Sequence, residues 1–343
     1  MRVENLLAES KGAAREIPLA ERRKSLVLAI GGIGDVLMTI PLMRGLASRG
    51  VVFDVCVYGS AIREVLCFEE QRWELLVNVE DSSSWRELWR VCRSGYHACY
   101  MNHVDGGRRI VLVPFLAGIP VRAAGRPKSR WLQLFLTDMY SREPEGQRPH
   151  RTDWNLRMLH SSGDNEHSYR IPSLAELEKI DERLGIHPGS DNAYPEGLRK
   201  RWPAAKFAAL CGRLINQGQK AHEIKVFLGP KEEDLASAFG GLGVDIIKGR
   251  DLAEVCRIIA SCSHFVSNDS GLAHIAYSAG LKPVVLFGWS EPEHTGPLDC
   301  YPVRNASDVA QIRVDDVIAC LAASCTRFHA PPRRGSLEGS EGW

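Results

Sequence analysis

An acidic residue, Asp35, lies directly behind a glycine-rich turn, Gly31-Gly32-Ile33-Gly34, which follows an apolar run predicted to be a strand over Ser25–Ile30. Glycines in such a turn let the backbone approach a ligand closely, and the start of the following helix attracts anions. A carboxylate in this place would repel a pyrophosphate. Two interpretations of Asp35 are therefore open: a cap of the helix, or a general base that faces a cleft.

The same turn can be compared with a dinucleotide-binding fingerprint. Gly32 and Gly34 match its first two glycines, and Asp54 follows Gly34 by 20 residues, where a ribose-binding acid would stand. The position of the third glycine is occupied by Leu37. This incomplete glycine set argues against an NAD site.

A second motif, His187-Pro188-Gly189-Ser190, is followed ten residues later by Lys200. A turn formed by Gly189 and Ser190 offers backbone N–H and hydroxyl donors to phosphate oxygens, and the lysine adds a positive charge. The alternative is a surface loop that carries a solvated basic triplet, Arg199-Lys200-Arg201. On its own, this motif does not decide between the two.

A third motif runs from Asn268 to His274 and joins a predicted strand to a predicted helix. Ser270 and Gly271 stand at the start of that helix, where free N–H groups and the helix dipole attract phosphate. Asp269 could cap the helix or bind sugar hydroxyls. His274, one turn further, either reaches the same cleft or is a hydrogen-bonded core residue.

Alternating strands and helices are predicted to position these motifs in both halves of the chain, which indicates two parallel-sheet α/β units. We predict an N-terminal domain over residues 25–165, a C-terminal domain over 166–325, and loosely ordered ends at 1–24 and 326–343. The apolar segment Ile110–Leu116 could be a helix or a strand. Further expected elements are a capping box from Ser173 to Glu176, a helix after Pro203 with Phe207, Leu210, Cys211 and Leu214 on its buried face, and a helix capped by Asp251 and Glu254.

Composition excludes several classes of protein. The formal net charge is only +1, whereas general nucleic-acid binders usually carry a basic surplus. No transmembrane segment or apolar signal core is visible, so we expect a cytoplasmic protein. The ten cysteines are scattered without a C-x-x-C pair, which predicts reduced and mostly buried thiols rather than a metal site. No Asp-x-Asp motif is present to hold a metal ion beside a diphosphate.

Four blocks of the chain together resemble glycosyltransferase family 9, the heptosyltransferases of lipopolysaccharide assembly: IGDVLMTIPLMRGL, HPGSDNAYPEGLRKRWP, VSNDSGLAHIAYSAGLKPVVLFG and EPEHTGP. The resemblance covers roughly Ser25 to Leu321. It implies a GT-B architecture, in which two Rossmann-like domains face each other across a cleft. It also implies an inverting sugar transfer, from ADP-heptose to a hydroxyl of a glycan or glycolipid, without a metal or other cofactor.

The resemblance assigns the role of catalytic base to Asp35 and the contact with the donor phosphate to Lys200. It also implies that the last helix, Val314–Leu321, crosses back to the first domain. Together with the turn described above, the predicted donor site consists of Gly189, Ser190, Lys200, Asp269, Ser270, Gly271 and His274.

A basic segment in the first half is the candidate acceptor site. Between Met101 and His160 there are ten Lys and Arg residues but only five acids. Arg126, Lys128 and Arg130 alternate there, beside an apolar strip. Such a pairing suits an anionic glycolipid or a membrane surface, and the alternative is a solvated basic face.

Three other functions remain open at this point. The same chemistry could use another nucleotide sugar and a natural-product or protein acceptor. A GT-B-shaped nucleotide-sugar epimerase would share the architecture and would need no acceptor. A catalytically inert binding module is the third, and the presence of Asp35, Lys200 and Asp269 together argues against it.

Overall fold

Two six-stranded sheets form the frame of the computed structural model, which describes residues 24–79, 85–104, 107–140, 149–159, 166–190 and 199–324. All ten pairs of neighbouring strands are parallel. The expected α/β class with two facing parallel-sheet units is confirmed. The predicted loose ends at 1–24 and 326–343 lie, apart from Lys24, outside the described residues, and the predicted boundary after residue 165 lies at the edge of an undescribed range.

The first sheet has the strand order β3-β2-β1-β4-β5-β6. Its strands are β1 (Ser25–Ala29), β2 (Phe53–Tyr58), β3 (Leu76–Val79), β4 (Ala98–Met101), β5 (Val121–Gly125) and β6 (Asp138–Tyr140). The helices of this half are α1 (Ile33–Leu37), α2 (Ile40–Ser48), α3 (Ser60–Leu66), α4 (Trp85–Cys92), α5 (Arg108–Leu116), α6 (Arg130–Gln133) and α7 (Arg151–Arg157). Strand β1 is buried along its whole length, because helices cover both faces of the sheet.

The second sheet has the strand order β12-β11-β10-β7-β8-β9. Its strands are β7 (Leu184–His187), β8 (Ile224–Phe227), β9 (Asp245–Ile247), β10 (His264–Asn268), β11 (Val284–Phe287) and β12 (Tyr301–Arg304). The helices are α8 (Pro172–Ala175), α9 (Ala204–Asn216), α10 (Leu252–Ala260), α11 (Gly271–Ser278), α12 (Pro292–Thr295) and α13 (Val314–Ser324), with short 3₁₀ helices at Ala221–Glu223, Glu233–Phe239 and Val309–Gln311.

One apolar core joins the two halves of the molecule. It includes Val27 and Val55 of the first sheet together with Ile259 and Ile275 of α10 and α11. The opposite face of the first sheet packs in a separate core against α4, α5 and α6. Helices α9 and α13 cover the second sheet in a third core. The α4–α6 helices therefore cover the face of the first sheet that does not share a core with the second half.

Local sequence patterns predicted several of these elements. The undecided segment Ile110–Leu116 is the body of helix α5. In α9 the buried side chains are the four predicted apolar residues. Asp251 caps α10 by accepting a hydrogen bond from the Glu254 N–H at 2.6 Å. Among the described residues, no helix combines the length and the apolar character that crossing a bilayer requires.

Two expectations about helices are wrong. The predicted capping box at Ser173 does not open a helix, because α8 starts at Pro172 and the Ser173 hydroxyl donates instead to the Phe68 carbonyl at 2.5 Å. The last helix does not cross back over residues 314–324. It packs on α9 and on strands β11 and β12 of the second sheet, where its own apolar face is buried.

The cysteines follow the prediction. Nine of the ten lie in the described ranges, all as free thiols, and six of them are buried. Burial raises the pKa of the Cys56 and Cys262 thiols to about 12, so they stay protonated and behave as small apolar side chains.

Candidate functional site

Each sheet has one point at which the strand order reverses, between β1 and β4 in the first sheet and between β7 and β10 in the second. Ligands of open parallel sheets bind outside the carboxyl ends of the strands at such a point. The turn leading to Asp35 follows β1, and Asn102 follows β4. The other two motifs begin at His187, the last residue of β7, and at Asn268, the last residue of β10. The topology therefore gathers three predicted motifs at the two binding positions of the fold.

Asp35 is the third residue of α1, behind the N-cap residue Gly32. Its Oδ2 atom accepts a hydrogen bond from the Gly32 N–H at 3.0 Å, and its Oδ1 atom accepts one from Nη1 of Arg151. Gly31 has a φ of +119°, and a Cβ atom there would lie 2.5 Å from Asp35 Oδ2. Only glycine allows the carboxylate to fold back in this way. Asp35 thus supports the start of its helix and still presents a carboxylate at the strand end.

The charge of Asp35 is stabilised by its surroundings. Burial alone would raise the pKa of this carboxyl, but the charges of Arg151 and His103 and the Gly32 hydrogen bond outweigh it. The net pKa lies below its ordinary value of 3.8, so the group is ionised at neutral pH. The side chain keeps 23% of its surface exposed. It is therefore an ionised proton acceptor within reach of a ligand.

Asn102 and Thr39 fix the backbone around this carboxylate. Asn102 accepts a hydrogen bond from the Ile30 N–H at 2.9 Å and donates to the Thr39 hydroxyl at 2.9 Å. The Thr39 hydroxyl in turn donates to the Asp35 carbonyl at 2.8 Å. Neither Asn102 nor Arg151 was predicted from the sequence as a residue of the site. A polar residue directly after the apolar run Ala98–Met101 was a usable signal for Asn102, whereas nothing local marks Arg151.

In the second half, Lys200 forms an ion pair with Asp269, at 2.6 Å between Nζ and Oδ2. Asp269 is buried, and the ammonium group also lies 5.5 Å from the centre of the Trp289 ring. A cavity of about 330 Å³ next to this pair is lined by Arg199, Trp289, Ser307, Asp308 and Val309. The basic triplet that includes Lys200 is therefore not a merely solvated surface.

Asn268 holds the two loops of this half together. Its Nδ2 atom donates to the carbonyls of Pro188 at 2.8 Å and Gly189 at 3.1 Å, and its Oδ1 atom accepts from the Trp202 N–H at 2.9 Å. A Cβ atom on Gly189 would lie 1.9 Å from the Glu232 carboxylate, so only glycine fits there. The loop that was predicted to bind phosphate is thus fixed by its neighbours.

A buried chain of hydrogen bonds runs behind this loop. His187 contacts Oε2 of Glu232 through Nε2 at 3.1 Å and the hydroxyl of Ser270 through Nδ1 at 2.9 Å. Burial alone would raise the pKa of Glu232, but the hydrogen bond from His187, its charge and the Gly229 N–H lower it overall. An ionised Glu232 can only accept, so Nε2 of His187 carries a proton, and in a neutral ring Nδ1 then accepts the Ser270 proton.

His274 lies where the two halves meet. Its Nδ1 atom is 2.8 Å from the Tyr169 hydroxyl, and a Cβ atom on Gly34 would lie 2.7 Å from the imidazole ring. A Cβ atom on Gly271 would likewise lie 2.9 Å from Ile33. Helices α1 and α11 can therefore touch only because each contributes a glycine. The carboxylate end of the first half and the helix start of the second are thereby held together.

Charged residues of both halves act on the pKa of His274. Burial lowers the pKa of its imidazole to about 4, although the charges of Asp269 and Asp35 act in the opposite direction. The ring is thus neutral at physiological pH, as expected for a hydrogen-bonded core residue. The charge of Lys200 also acts on it, which places the predicted residues of both halves in one electrostatic environment.

The candidate acceptor residues Arg126, Lys128 and Arg130 are exposed, on the loop after β5 and at the start of α6. The structure places this loop at the same sheet edge as Asp35, because all strands of the sheet are parallel. Strand β5 is separated from β1 by β4 alone, so the two strand ends are about 10 Å apart at the usual spacing of parallel strands.

The geometry excludes the dinucleotide-binding interpretation, in which Asp54 would bind a ribose. Asp54 is the second residue of β2 rather than a residue at its carboxyl end, and it is buried. It accepts a hydrogen bond from the Tyr96 hydroxyl at 2.6 Å and pairs with Lys24 at 2.9 Å. A ribose at the dinucleotide position cannot reach it. Within the described ranges, no three His, Cys, Asp or Glu side chains converge as a metal site would require.

The paired sheets and the site between them define the GT-B class of fold, and known proteins agree with it. The solved structure of E. coli ADP-heptose LPS heptosyltransferase II superposes with a TM-score of 0.67 at 22% identity, over 88% of this chain and 98% of that one. Residues 151–310 match the family model of glycosyltransferase family 9 (heptosyltransferase). The resemblance found in the sequence is therefore confirmed over this part of the chain.

Two curated relatives give the same result. Lipooligosaccharide heptosyltransferase 2 of Haemophilus influenzae is 31% identical over 143 residues, which is 39% of this chain and 40% of the relative. Lipopolysaccharide heptosyltransferase 2 of Escherichia coli is 27% identical over 214 residues, 54% of this chain and 59% of the relative. The chain thus spans about half the length of the curated relatives that it matches.

Proposed function

We propose that this protein is an inverting glycosyltransferase that transfers heptose from ADP-heptose to a hydroxyl group of an anionic glycolipid, at the cytoplasmic face of a membrane. The observation that carries the proposal is the meeting of α1 and α11. It brings an ionised Asp35 and the predicted diphosphate site at Asp269 and Ser270 into one environment around His274. The relatives are heptosyltransferases, which supports heptose as the sugar, and the similar E. coli protein is an ADP-heptose LPS heptosyltransferase, which supports ADP as the nucleotide.

In the proposed reaction Asp35 takes the proton of the acceptor hydroxyl while that oxygen forms a bond to the anomeric carbon of the sugar. The bond between the anomeric carbon and the diphosphate breaks on the opposite face, which inverts the configuration. The leaving diphosphate carries off the electron pair, and its charge is met by Lys200 and by backbone N–H groups at the start of α11. No metal ion is required in this scheme.

Arg151 acts on the proposed base, Asp35, in more than one way. It keeps Asp35 ionised, and its guanidinium lies on Oδ1. A carboxylate oxygen has two acceptor positions, so Oδ1 can still accept a proton from a substrate hydroxyl. We infer that Arg151 orients the base and also offers a positive charge to an anionic acceptor.

The chain of hydrogen bonds behind the loop determines what Ser270 contributes. When Nδ1 of His187 carries no proton, the Ser270 hydroxyl donates to it and cannot donate to a phosphate oxygen at the same time. The diphosphate would then be bound by the backbone N–H groups of Ser270 and Gly271, which helix α11 leaves without a partner in its first turn. Glu232 and His187 would then act on the donor through Ser270.

An assay with defined substrates tests the proposal. The purified protein is incubated with ADP-heptose, UDP-sugars or GDP-sugars, each with and without a deacylated lipopolysaccharide core as acceptor. We expect glycosylated product and free ADP only when both ADP-heptose and the acceptor are present. Conversion of a nucleotide sugar without acceptor would support the epimerase alternative instead, and activity that EDTA abolishes and Mg²⁺ restores would contradict the metal-independent scheme.

A further inference from the structure

One layer of helices carries half of the exposed large apolar side chains of the described residues. Of twelve such side chains, six lie on α4, on α5, and in or directly after α6: Trp85, Trp89, Phe115, Leu116, Trp131 and Leu134. Leu116 is 58% exposed and Leu134 is 79% exposed. Apolar surface of this kind is usually scattered over a protein, and its concentration on one face marks an interaction surface.

The same layer is strongly basic. Segments 85–93, 107–116 and 126–135, which we call the α4–α6 layer, contain eight Arg and Lys residues and a single acid, Glu87. The whole chain, by contrast, has a net charge of only +1. Guanidinium groups stand over the aromatic rings: Arg108 lies 5.5 Å from the centre of Trp131, and Arg93 lies 5.8 Å from that of Trp89. Cations and apolar side chains are therefore interleaved on one surface.

The helices of this layer are packed against one another. Helix α5 packs on both α4 and α6. Phe135 links α5 to α6, because its ring contacts Phe115 at 4.8 Å and Trp131 at 5.9 Å between centroids. The layer covers the face of the first sheet that does not share a core with the second half. It is thus a continuous outer surface, away from the contact between α1 and α11.

We propose that the α4–α6 layer docks the protein on the surface of an anionic phospholipid bilayer. Exposed arginines are attracted to anionic headgroups, tryptophans favour the headgroup level, and aliphatic side chains enter the boundary of the acyl chains. Single-stranded nucleic acid also binds basic and aromatic surfaces, but it offers nothing to highly exposed leucines. The pair Leu116 and Leu134 therefore favours a bilayer as the partner.

Docking in this way would assist the proposed function without depending on it. The loop after β5 belongs to the layer and also lies at the sheet edge of Asp35. A bilayer in contact with the layer would present a lipid-borne acceptor near this edge. Binding to vesicles can be measured without any sugar donor or acceptor, so its outcome is separate from that of the transfer assay.

Vesicle sedimentation tests the proposal directly, with the full chain and vesicles of phosphatidylcholine alone or with one quarter phosphatidylglycerol. We expect binding to the anionic vesicles, weak binding to the neutral ones, and weaker binding as salt rises from 0.05 to 0.5 M. Arg86→Gln with Arg90→Gln should weaken binding about fivefold for each arginine removed. Leu116→Gln with Leu134→Gln should weaken it at least about tenfold, since the apolar contribution is lost.

Matched controls keep the result specific. Arg250→Gln with Arg313→Gln removes two exposed arginines from the second half, and Leu75→Gln with Leu177→Gln removes two exposed leucines outside the layer. Each control should bind as the unchanged protein does, and all variants should keep its far-UV circular dichroism. Equal binding to both kinds of vesicle, equal losses in variants and controls, or binding of single-stranded RNA but not of vesicles would each overturn the proposal.

Discussion

The two halves of the candidate site hold their carboxylates in different ways. Asp35 keeps 23% of its side chain exposed, and its cation, Arg151, comes from a helix that is 116 positions further along the chain. Asp269 and Glu232 are both below 10% exposed and belong to a network of loops fixed by Asn268 and His187. The first half is open and depends on one long-range ion pair. The second is a preorganised cradle, which suits the stabilisation of a leaving diphosphate.

The largest expected effect comes from the open half. Asp35→Asn keeps the shape of the side chain and removes its basicity, so we expect turnover to fall by about 10²-fold or more. The affinity for ADP, measured by isothermal titration calorimetry, should hardly change, because the nucleotide binds to the other half. Asp153→Asn on helix α7 is the control and should be active. Near-normal turnover of Asp35→Asn would leave Asp35 only its role at the start of α1.

In the second half of the site, we expect the loss of a charged side chain to weaken nucleotide binding. Lys200→Ala removes a charged contact worth about 1.5–3 kcal/mol, so the affinity for ADP and for the donor should fall by about tenfold to a hundredfold. Lys220→Ala, an exposed lysine of the second half, is the control. An unchanged Kd for ADP in Lys200→Ala would place the diphosphate elsewhere.

The contact between α1 and α11 depends on glycine. A comparison of two Gly→Ala variants separates the steric effect at this contact from the effect of alanine on helix propensity. Gly34→Ala puts a methyl group where the His274 ring lies, at 2.7 Å, and should lower the free energy of unfolding by about 1–3 kcal/mol. Gly212→Ala in helix α9 meets its nearest atom at 3.8 Å and should stabilise the protein by up to about 1 kcal/mol. Denaturant unfolding measures both, and equal effects would mean that the α1–α11 contact is loose.

The pH profile reports on the ion pair of the open half. A base must be ionised to act, so activity should be present above the pKa of Asp35 and be lost as the pH falls through it. Arg151→Gln removes a charge that lowers this pKa, and the acid limb of kcat should therefore move to higher pH. Arg157→Gln on the same helix should leave the limb in place. An unmoved limb in Arg151→Gln would show that Arg151 does not act on Asp35.

The smallest expected effect is a change in the KM for the acceptor. Arg126, Lys128 and Arg130 are exposed, so their attraction for an anion is screened as the Debye length shrinks from about 10 Å at 0.1 M salt to about 3 Å at 1 M. Added salt should raise KM for the acceptor more than KM for the donor. Replacing all three residues by Gln should raise the acceptor KM in the same way and remove most of its salt dependence. If the acceptor KM responds to neither change, these residues form a solvated face.

The glycine and strand patterns were sufficient to predict the fold class. The same is true of the positions of Asp35 and Asp269, because each follows a parallel strand and so lies at the carboxyl edge of its sheet. The pairing of Lys200 with Asp269 was not predicted by these patterns. Glu232 and Asn102 were accessible in principle, as polar residues near the ends of apolar runs, but the sequence offered no means of ranking them. Arg151 was not accessible, because its partner is 116 positions away.

The sequence by itself determined many of the strands and helices, since apolar periodicity and helix-start residues are local properties, but it left Ile110–Leu116 undecided between the two. It also determined the chemical groups of the site. The tertiary structure alone decided which groups meet: Arg151 with Asp35, His187 between Glu232 and Ser270, and Gly34 against His274. These contacts depend on how the two halves of the molecule pack against each other. No local sequence pattern predicts that packing, because it is formed by α1 on α11 and by α3 on α10.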